Sequence, residues 1–365
     1  YYNRGGGMAG VYGYRDGGGR KRAVARFGGS PATESAVEAA LRWLARNQEA
    51  DGHWEITRHL PNGRQGNAAY VPGVTGLALL AFLGAGYTHK AQSPYRGTVL
   101  KAVNWMVEQQ KADGTFAKRH SHSTYSEFIC CLATSEAYGM TRDERLKDIA
   151  QKSVDWALKT QTPYSGWRYH NKNDSDTSVV GWAMMAMKSA KMAGLKVDGS
   201  TFQGITNFLD KVTVKGDDGT VQALYRPQEK VSSGFEKDTR CCTAIAMLCR
   251  QFLGAKRDNP TVSGSADWLA ANVPEWNGNN VRVTHFYYWY YGTLASFQAG
   301  GDRWKKWNEA QKKVLLENQR KGGPEDGSWD PKCYYGSRFG GRVYNTALGA
   351  LTLEVYYRYL PLYAK

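Results

Sequence analysis

From about residue 34 onward the hydrophobic positions recur at helical spacing, in two alternating kinds of segment. The first kind is amphipathic. Val37, Leu41 and Leu44 sit three and four residues apart among polar neighbours, which predicts one apolar stripe on an otherwise wet helix. The second kind is apolar on most faces and covers 74–84, 125–138, 177–193, 239–253, 286–298 and 343–359. A helix that is apolar all round must be buried on all sides. Asp-Gly, Gly or Pro separates the two kinds. Ser30-Pro31-Ala32-Thr33-Glu34 reads as the start of the first helix.

The alternation is a repeat. Trp43-Leu44 is followed by Gln48, Gly52 and Trp54; Trp105-Met106 by Gln110, Gly114 and Phe116; Trp156-Ala157 by Gln161, Gly166 and Trp167; Leu315-Leu316 by Gln319, Gly327 and Trp329. Phe208-Leu209 with Gly219, and Trp268-Leu269, are degenerate copies. Each copy is one helical hairpin, amphipathic helix outside and apolar helix inside. Small residues such as Gly76, Gly181 and Gly349 would let inner helices approach closely. Six hairpins close naturally into a double wall that leaves no end repeat uncapped. The expected fold is therefore all-α: a single (α/α)6 toroid over 34–365. Residues 1–33 read as a separate Gly/Arg-rich tail, mobile or held only by a partner, because they offer little apolar surface to offset ordering.

The Gln-Gly-aromatic copies resemble the QW motif of triterpene cyclases. The chain as a whole resembles the squalene-cyclase and prenyltransferase family, and in particular the bacterial prenyltransferase and squalene oxidase repeat proteins. Residues 342–363, with Tyr344-Asn345-Thr346-Ala347 running into Tyr356-Tyr357-Arg358-Tyr359-Leu360-Pro361, share that family's look. The resemblance implies an α/α toroid with a hydrophobic cavity opening at the N-terminal ends of the inner helices. Fold does not fix chemistry, which resides in the site.

Class II cyclases protonate an alkene or epoxide with the middle Asp of a DxDD motif followed by Thr. The matching stretch here is Asn173-Asp174-Ser175-Asp176-Thr177. Serine stands where the proton donor would be, and alkene protonation needs a carboxylic acid. Asp174 and Asp176 are the remaining acid candidates, and either one also reads as the N-cap of the helix starting at Thr177. Glu127, near the start of another inner helix, is a third. Glu136 lies nine residues further along the same helix and is not expected to meet it. Carbohydrate-active α/α barrels pair such carboxylates across an aromatic cleft; Glu127, Glu136, Asp176 and Asp238 are the acids available for that.

Protein prenyltransferases hold zinc through Asp, Cys and His at inner-helix starts. By that resemblance Asp238, Cys241 and His285 are zinc candidates, three ligands with an open position. The competing reading is a capping Asp, a core Cys and a rim His. His120 and His122 flank one loop residue with no third ligand nearby in sequence. The thioester signature of complement-like toroids is absent. The string Phe286-Tyr287-Tyr288-Trp289-Tyr290-Tyr291 presents rings on every face of a helix; with Tyr125 and Tyr344, its Tyr287 and Trp289 are candidate cavity walls. Rings of this kind stabilise a cation, bind a prenyl chain, or fill the barrel.

Composition narrows the partners. The chain has 12 Trp, 23 Tyr and a net charge of +15, which favours acidic partners, including an anionic membrane surface. No element interleaves basic and aromatic residues as a nucleic-acid binder does. No apolar run reaches the roughly 18 residues that span a bilayer; a leader or anchor before Tyr1 is compatible with the sequence. Adjacent cysteine pairs make a poor disulfide framework and point to a reducing compartment, cytoplasmic or membrane-associated. The expected partner is a hydrophobic small molecule or lipid. The alternative is a non-catalytic module that binds protein within a larger assembly.

Overall fold

The computed structural model describes residues 12–15, 17–56, 68–120, 122–169, 174–227, 239–277, 280, 283–359 and 362. Helix α1 (Gly17–Phe27) precedes six hairpins. Their outer helices are α2 (Pro31–Arg46), α4 (Arg96–Gln109), α6 (Glu144–Thr160), α8 (Gly199–Val212), α10 (Pro260–Ala271) and α12 (Gly301–Asn318). Their inner helices are α3 (Val71–Gly84), α5 (Ser123–Thr141), α7 (Thr177–Ala193), α9 (Thr239–Phe252), α11 (Phe286–Ala299) and α13 (Gly341–Leu353). A short α14 (Val355–Arg358) follows. Each inner helix packs on the next, and α13 packs back on α3, so the inner wall is a closed ring.

Burial explains the two helix types. Every residue of α3 and of α11 is buried, whereas α6 buries only the stripe Leu146, Ile149, Ala150, Ser153, Val154 and Ala157. Close approach within the inner wall needs missing side chains. A Cβ on Gly76 would stand 3.0 Å from Ile129 of α5, and one on Gly181 would stand 2.6 Å from Ile245 of α9. Gly349 serves differently: it makes room for the Trp329 ring, which a Cβ at this position would meet at 2.8 Å, rather than for another helix.

The repeated glutamines stitch hairpin to hairpin. Gln48 Nε2 donates to the Gly52 carbonyl and to the Thr98 carbonyl of α4, both at 2.9 Å. Gln110 reaches Ile149 O at 2.8 Å, and Gln161 reaches Thr201 O at 3.1 Å. Gln319 donates to Ala36 O at 2.8 Å, joining the last outer helix to the first. The ring at the end of the motif completes the joint: Trp54, Trp167 and Trp329 each donate Nε1 to the carbonyl of Leu44, Ala157 and Leu315 respectively. Gly52 (φ 108°) and Gly327 (φ 91°) hold left-handed turns against the next helix backbone, where a Cβ would lie 2.3 Å from Lys101 O and 2.1 Å from Ala39 O. In the degenerate fourth copy an antiparallel ribbon, β1 (Thr213–Lys215) with β2 (Val221–Ala223), takes over; Ser265 of α10 donates to Val221 O at 3.1 Å.

Two expectations need adjustment. Residues 17–33 are not a loose tail. They form α1, a loop and the beginning of α2, because α1 has Gly19, Ala23 and Val24 to bury and packs on α14. Residues 1–11 lie outside the described residues. The sixth inner segment is one helix in the sequence pattern but breaks at Glu354, between α13 and α14.

Charge closes the end of the ring where the inner helices finish. Arg15 Nη1 pairs with Glu136 Oε2 at 2.8 Å, and Arg358 Nη2 pairs with Glu136 Oε1 at 3.0 Å. Arg15 also donates to Leu83 O and to Arg358 O. Burial would raise the Glu136 carboxyl, but the two guanidiniums outweigh it and hold it below its ordinary value. Glu354 is also fully buried, yet neither of its oxygens accepts a hydrogen bond, and burial pushes its pKa up to about 8. Among the described residues no helix is long and apolar enough to cross a membrane.

Candidate functional site

At the opposite end, the start of α7 concentrates the acid chemistry. Asp176 caps α7: Oδ1 accepts from the Val179 N–H at 2.9 Å and from the Ser178 hydroxyl at 2.5 Å. Oδ2 is buried without a well-formed hydrogen bond. Arg168 Nε stands 3.6 Å from it, and the Tyr225 hydroxyl lies near the carboxyl. Burial pushes the Asp176 pKa up to about 6, against the pull of Ser178, Val179 and Arg168. Asp174 behaves oppositely. Burial would raise it, but hydrogen bonds from Arg168 and from the Ser175 N–H, with Arg226 at 3.7 Å, hold it low. The two carboxyls thus share Arg168 and shift in opposite directions, Asp176 up to about 6 and Asp174 down from the ordinary carboxylate value. Ser175, between them, accepts from the Gly166 N–H at 3.0 Å and ties down the preceding loop.

Rings surround this pair. The Arg168 guanidinium lies over Tyr169 (5.1 Å) and Tyr225 (5.7 Å), and those two hydroxyls bond each other. Tyr125 meets the Ser178 hydroxyl at 2.6 Å, so a Tyr125–Ser178–Asp176 chain enters the cap. Tyr287 donates to Ser178 O at 3.1 Å and stands 5.7 Å from Tyr335. Tyr344 feels Cys333, Tyr335 and Cys241, and Tyr287 also feels Cys241. His122 contacts Tyr169 at 4.5 Å, and His120 contacts Tyr70 at 4.7 Å.

Deeper in the ring the aromatic side chains stack on each other. Trp182 lies parallel to Tyr287 and Tyr290 at 6.0 and 5.8 Å and edge-on to Tyr291. Residues 287, 290 and 291 share one helical face, and that face meets Trp182 of α7. Trp289 faces elsewhere. It packs on Trp276 and Phe286, and Phe286 on Trp329, so it belongs to the seam between hairpins rather than to the wall with Tyr287.

The structure brings Asp174, Asp176, Tyr125 and Tyr287 into one neighbourhood through Arg168 and Ser178. Glu127 is committed to backbone: its oxygens accept from the Phe116 and Ala117 N–H groups at 2.7 and 3.0 Å. Thr75, Thr243 and Thr346 do the same work in other repeats, accepting from Trp54, Ala223 and Trp329. Burial nonetheless pushes Glu127 up to about 7. Glu136 lies roughly 13 Å further along α5, in the charged plug at the other end. Of the zinc candidates, Asp238 lies outside the described residues. His285 caps α11 by accepting from the Tyr288 N–H at 3.1 Å, and Cys241 is buried beside Tyr287 and Tyr344. Among the described residues no three of His, Cys, Asp and Glu gather as a metal site.

Sequence reasoning did not single out Arg168, Tyr169, Ser178, Trp182, Tyr225 or Tyr335. Arg168 and Tyr169 follow directly on the motif tryptophan Trp167, and that adjacency was the available signal. Tyr225 and Tyr335 come from distant loops and carried none.

Comparison with known proteins agrees with the ring architecture. The sequence profile of the squalene-hopene cyclase C-terminal domain matches residues 10–130. No curated protein sequence matches the chain. Among solved structures it is similar to the type II terpene cyclase MstE from Scytonema, at 14% identity and TM-score 0.58, covering 88% of this chain and 97% of that one. It is similar to an α-amylase from Clostridium perfringens, at 13% identity and TM-score 0.60, covering 88% and 97%. It is also similar to an α-1,6-mannanase of Salegentibacter, at 12% identity and TM-score 0.58, covering 89% and 99%. The shared ring architecture over most of the chain makes this protein an α/α toroid, and residues 10–130 are similar in sequence to the squalene-hopene cyclase C-terminal domain.

Proposed function

We propose that the toroid binds a hydrophobic, isoprenoid-type ligand where its inner helices begin, and that Asp176 is the group placed to protonate it. The observation that carries this reading is the Asp176 carboxyl: one oxygen fixed by the helix cap, the other buried without a well-formed hydrogen bond, 3.6 Å from Arg168 Nε and beside a tyrosine wall. A carboxylic acid whose ionised form is penalised by burial keeps its proton to higher pH than an exposed one, here to about 6, and can deliver it in mild acid. Tyr125, Tyr169, Tyr225 and Tyr287 supply apolar faces for a prenyl chain and electron-rich faces for a developing cation. Trp182, stacked on Tyr287 and Tyr290, is the floor. Terpene-cyclase neighbours of the same architecture include one whose structure holds geranylgeranyl dihydroxybenzoate, and that supports the ligand class.

Tryptophan fluorescence titrated with farnesol and geranylgeraniol tests binding: saturable quenching is expected, weakened in Trp182→Ala. Any turnover of a prenyl substrate should fall as pH rises above about 6 and drop at least ~100-fold in Asp176→Asn. Full activity of that variant removes Asp176 from the mechanism.

A second reading rests on the divergent behaviour of Asp174 and Asp176. One carboxyl shifted up and one shifted down also suit a glycosidic bond, and two neighbours are an α-amylase and an α-1,6-mannanase. Reducing sugar released from α-glucan or α-1,6-mannan, with no prenyl binding, would favour it.

A further inference from the structure

The charged plug at the finishing ends of the inner helices does not balance. Two guanidiniums, Arg15 and Arg358, are 3% and 0% exposed at their side chains and share one carboxylate, Glu136. The other buried carboxyl nearby, Glu354, hydrogen-bonds neither of them. Lys188, half-buried at the edge of the plug, adds a third cation, and its described hydrogen bond is to a neutral carbonyl, Phe252 O, at 3.0 Å. Leaving charge of one sign unmatched inside a protein costs several kcal/mol per ion. Such a cost selects for a counter-charge.

A cavity adjoins this cluster. Its volume is about 40 Å³, and Lys188, Ser189, Tyr12, Arg358, Arg15 and Glu136 form its polar side. Three donors there have no well-formed hydrogen bond: the Tyr12 hydroxyl, the Ser189 hydroxyl and Arg358 Nε. Met185, Met192, Phe252, Leu362 and Tyr359, whose hydroxyl donates to Glu136 Oε1 at 3.4 Å, complete the lining. Buried donors left unmade are costly, and here they border a space with surplus positive charge.

We propose that this cavity holds a small monovalent anion, of the size of bromide or formate, between the Lys188 ammonium, the Tyr12 and Ser189 hydroxyls and the Arg358 guanidinium. The anion supplies the missing negative charge and accepts the idle donors. It also joins the N-terminal segment, through Tyr12, to α7, through Lys188 and Ser189. The site is at the other end of the ring from Asp176 and is independent of the function proposed there.

The test is thermal unfolding of the full chain at pH 7 in sodium bromide, sodium formate or sodium gluconate at matched ionic strength. Gluconate is too large for the cavity. Bromide and formate should raise the melting temperature by about 2 °C per tenfold increase once binding begins, and gluconate should not. Ser189→Ala and Lys188→Met should fold but lose the difference. A crystal grown in bromide should show an anomalous peak within contact of Lys188 Nζ. Equal melting in all three salts, or no such peak, overturns the proposal. So does a marked loss of stability at pH 7 in Glu354→Gln, which would mean that ionised Glu354 already supplies the charge.

Discussion

Asp176 shows how one side chain serves as both structure and candidate chemistry. Its Oδ1 closes the first turn of α7 as any N-cap does, while its Oδ2 is left in a buried, ring-lined setting. In the sequence the cap and the acid are competing readings; the structure gives Oδ1 to the cap and leaves Oδ2 for the proposed acid role. Glu354 is the starker case, because it has burial without either cap or ion pair. Its folded pKa is about 8, above the unfolded value, so the native state binds the extra proton. Its penalty is absent below about pH 4.5 and grows as pH rises toward 8. Glu354→Gln should therefore match the parent protein near pH 5 and exceed it by about 2–4 kcal/mol at about pH 8.5, measured by urea unfolding at the two pH values. Glu136 runs the other way: its folded pKa is lowered, so its contribution is present above about pH 4.5 and is lost as the solution is acidified further.

At the scale of elements, the stitch matters more than the helix. Outer helices differ widely in sequence, yet four loops place a glutamine, a left-handed or tightly packed glycine, and a ring in the same relation. Gln110 Nε2 serves Ile149 O, Ser153 Oγ and the Gly114 carbonyl together. Gln110→Ala should cost about 1–3 kcal/mol in chemical denaturation; an unchanged midpoint would mean that the joint is held by packing alone. Helix type and repeat number were readable because periodicity and burial are local properties of sequence. Three features escaped because they depend on long-range partners. The ribbon of the fourth copy replaces a missing glutamine. The outward turn of Trp289 follows from which face of α11 meets Trp182. The docking of α1 needs Arg15 to find Glu136, far along the chain. The Asp174–Asp176 pair was legible as a motif remnant; the tyrosines that give it a setting were not.

At the scale of the molecule, the two ends of the ring differ in character. Where the inner helices begin, acids sit among tyrosines. Where they finish, basic side chains meet carbonyls of the last turns and the loops after them: Arg15 on Leu83, Arg20 on Ala85, Arg142 on Ala193 and Lys188 on Phe252. Cations are favoured at helix C-termini, and this chain recruits them from α1 as well as from the wall. Deleting residues 1–27 should cost on the order of 3–5 kcal/mol, because it strips a partner from buried Glu136; calorimetry of the shortened chain would show it, and an unaltered melting temperature would mean that α1 is only a passenger.

The Gln319–Ala36 bond has one more implication. A wall whose last hairpin is laced to its first has no seam of its own; the covalent break between start and finish is arbitrary. Tyr12 and Leu362 border the same cavity, so a short bridge joining residue 12 directly to residue 362 should close the chain. New termini opened at the solvent-facing turn around Tyr164, which is 85% exposed, should then yield a circular permutant that folds to the same circle.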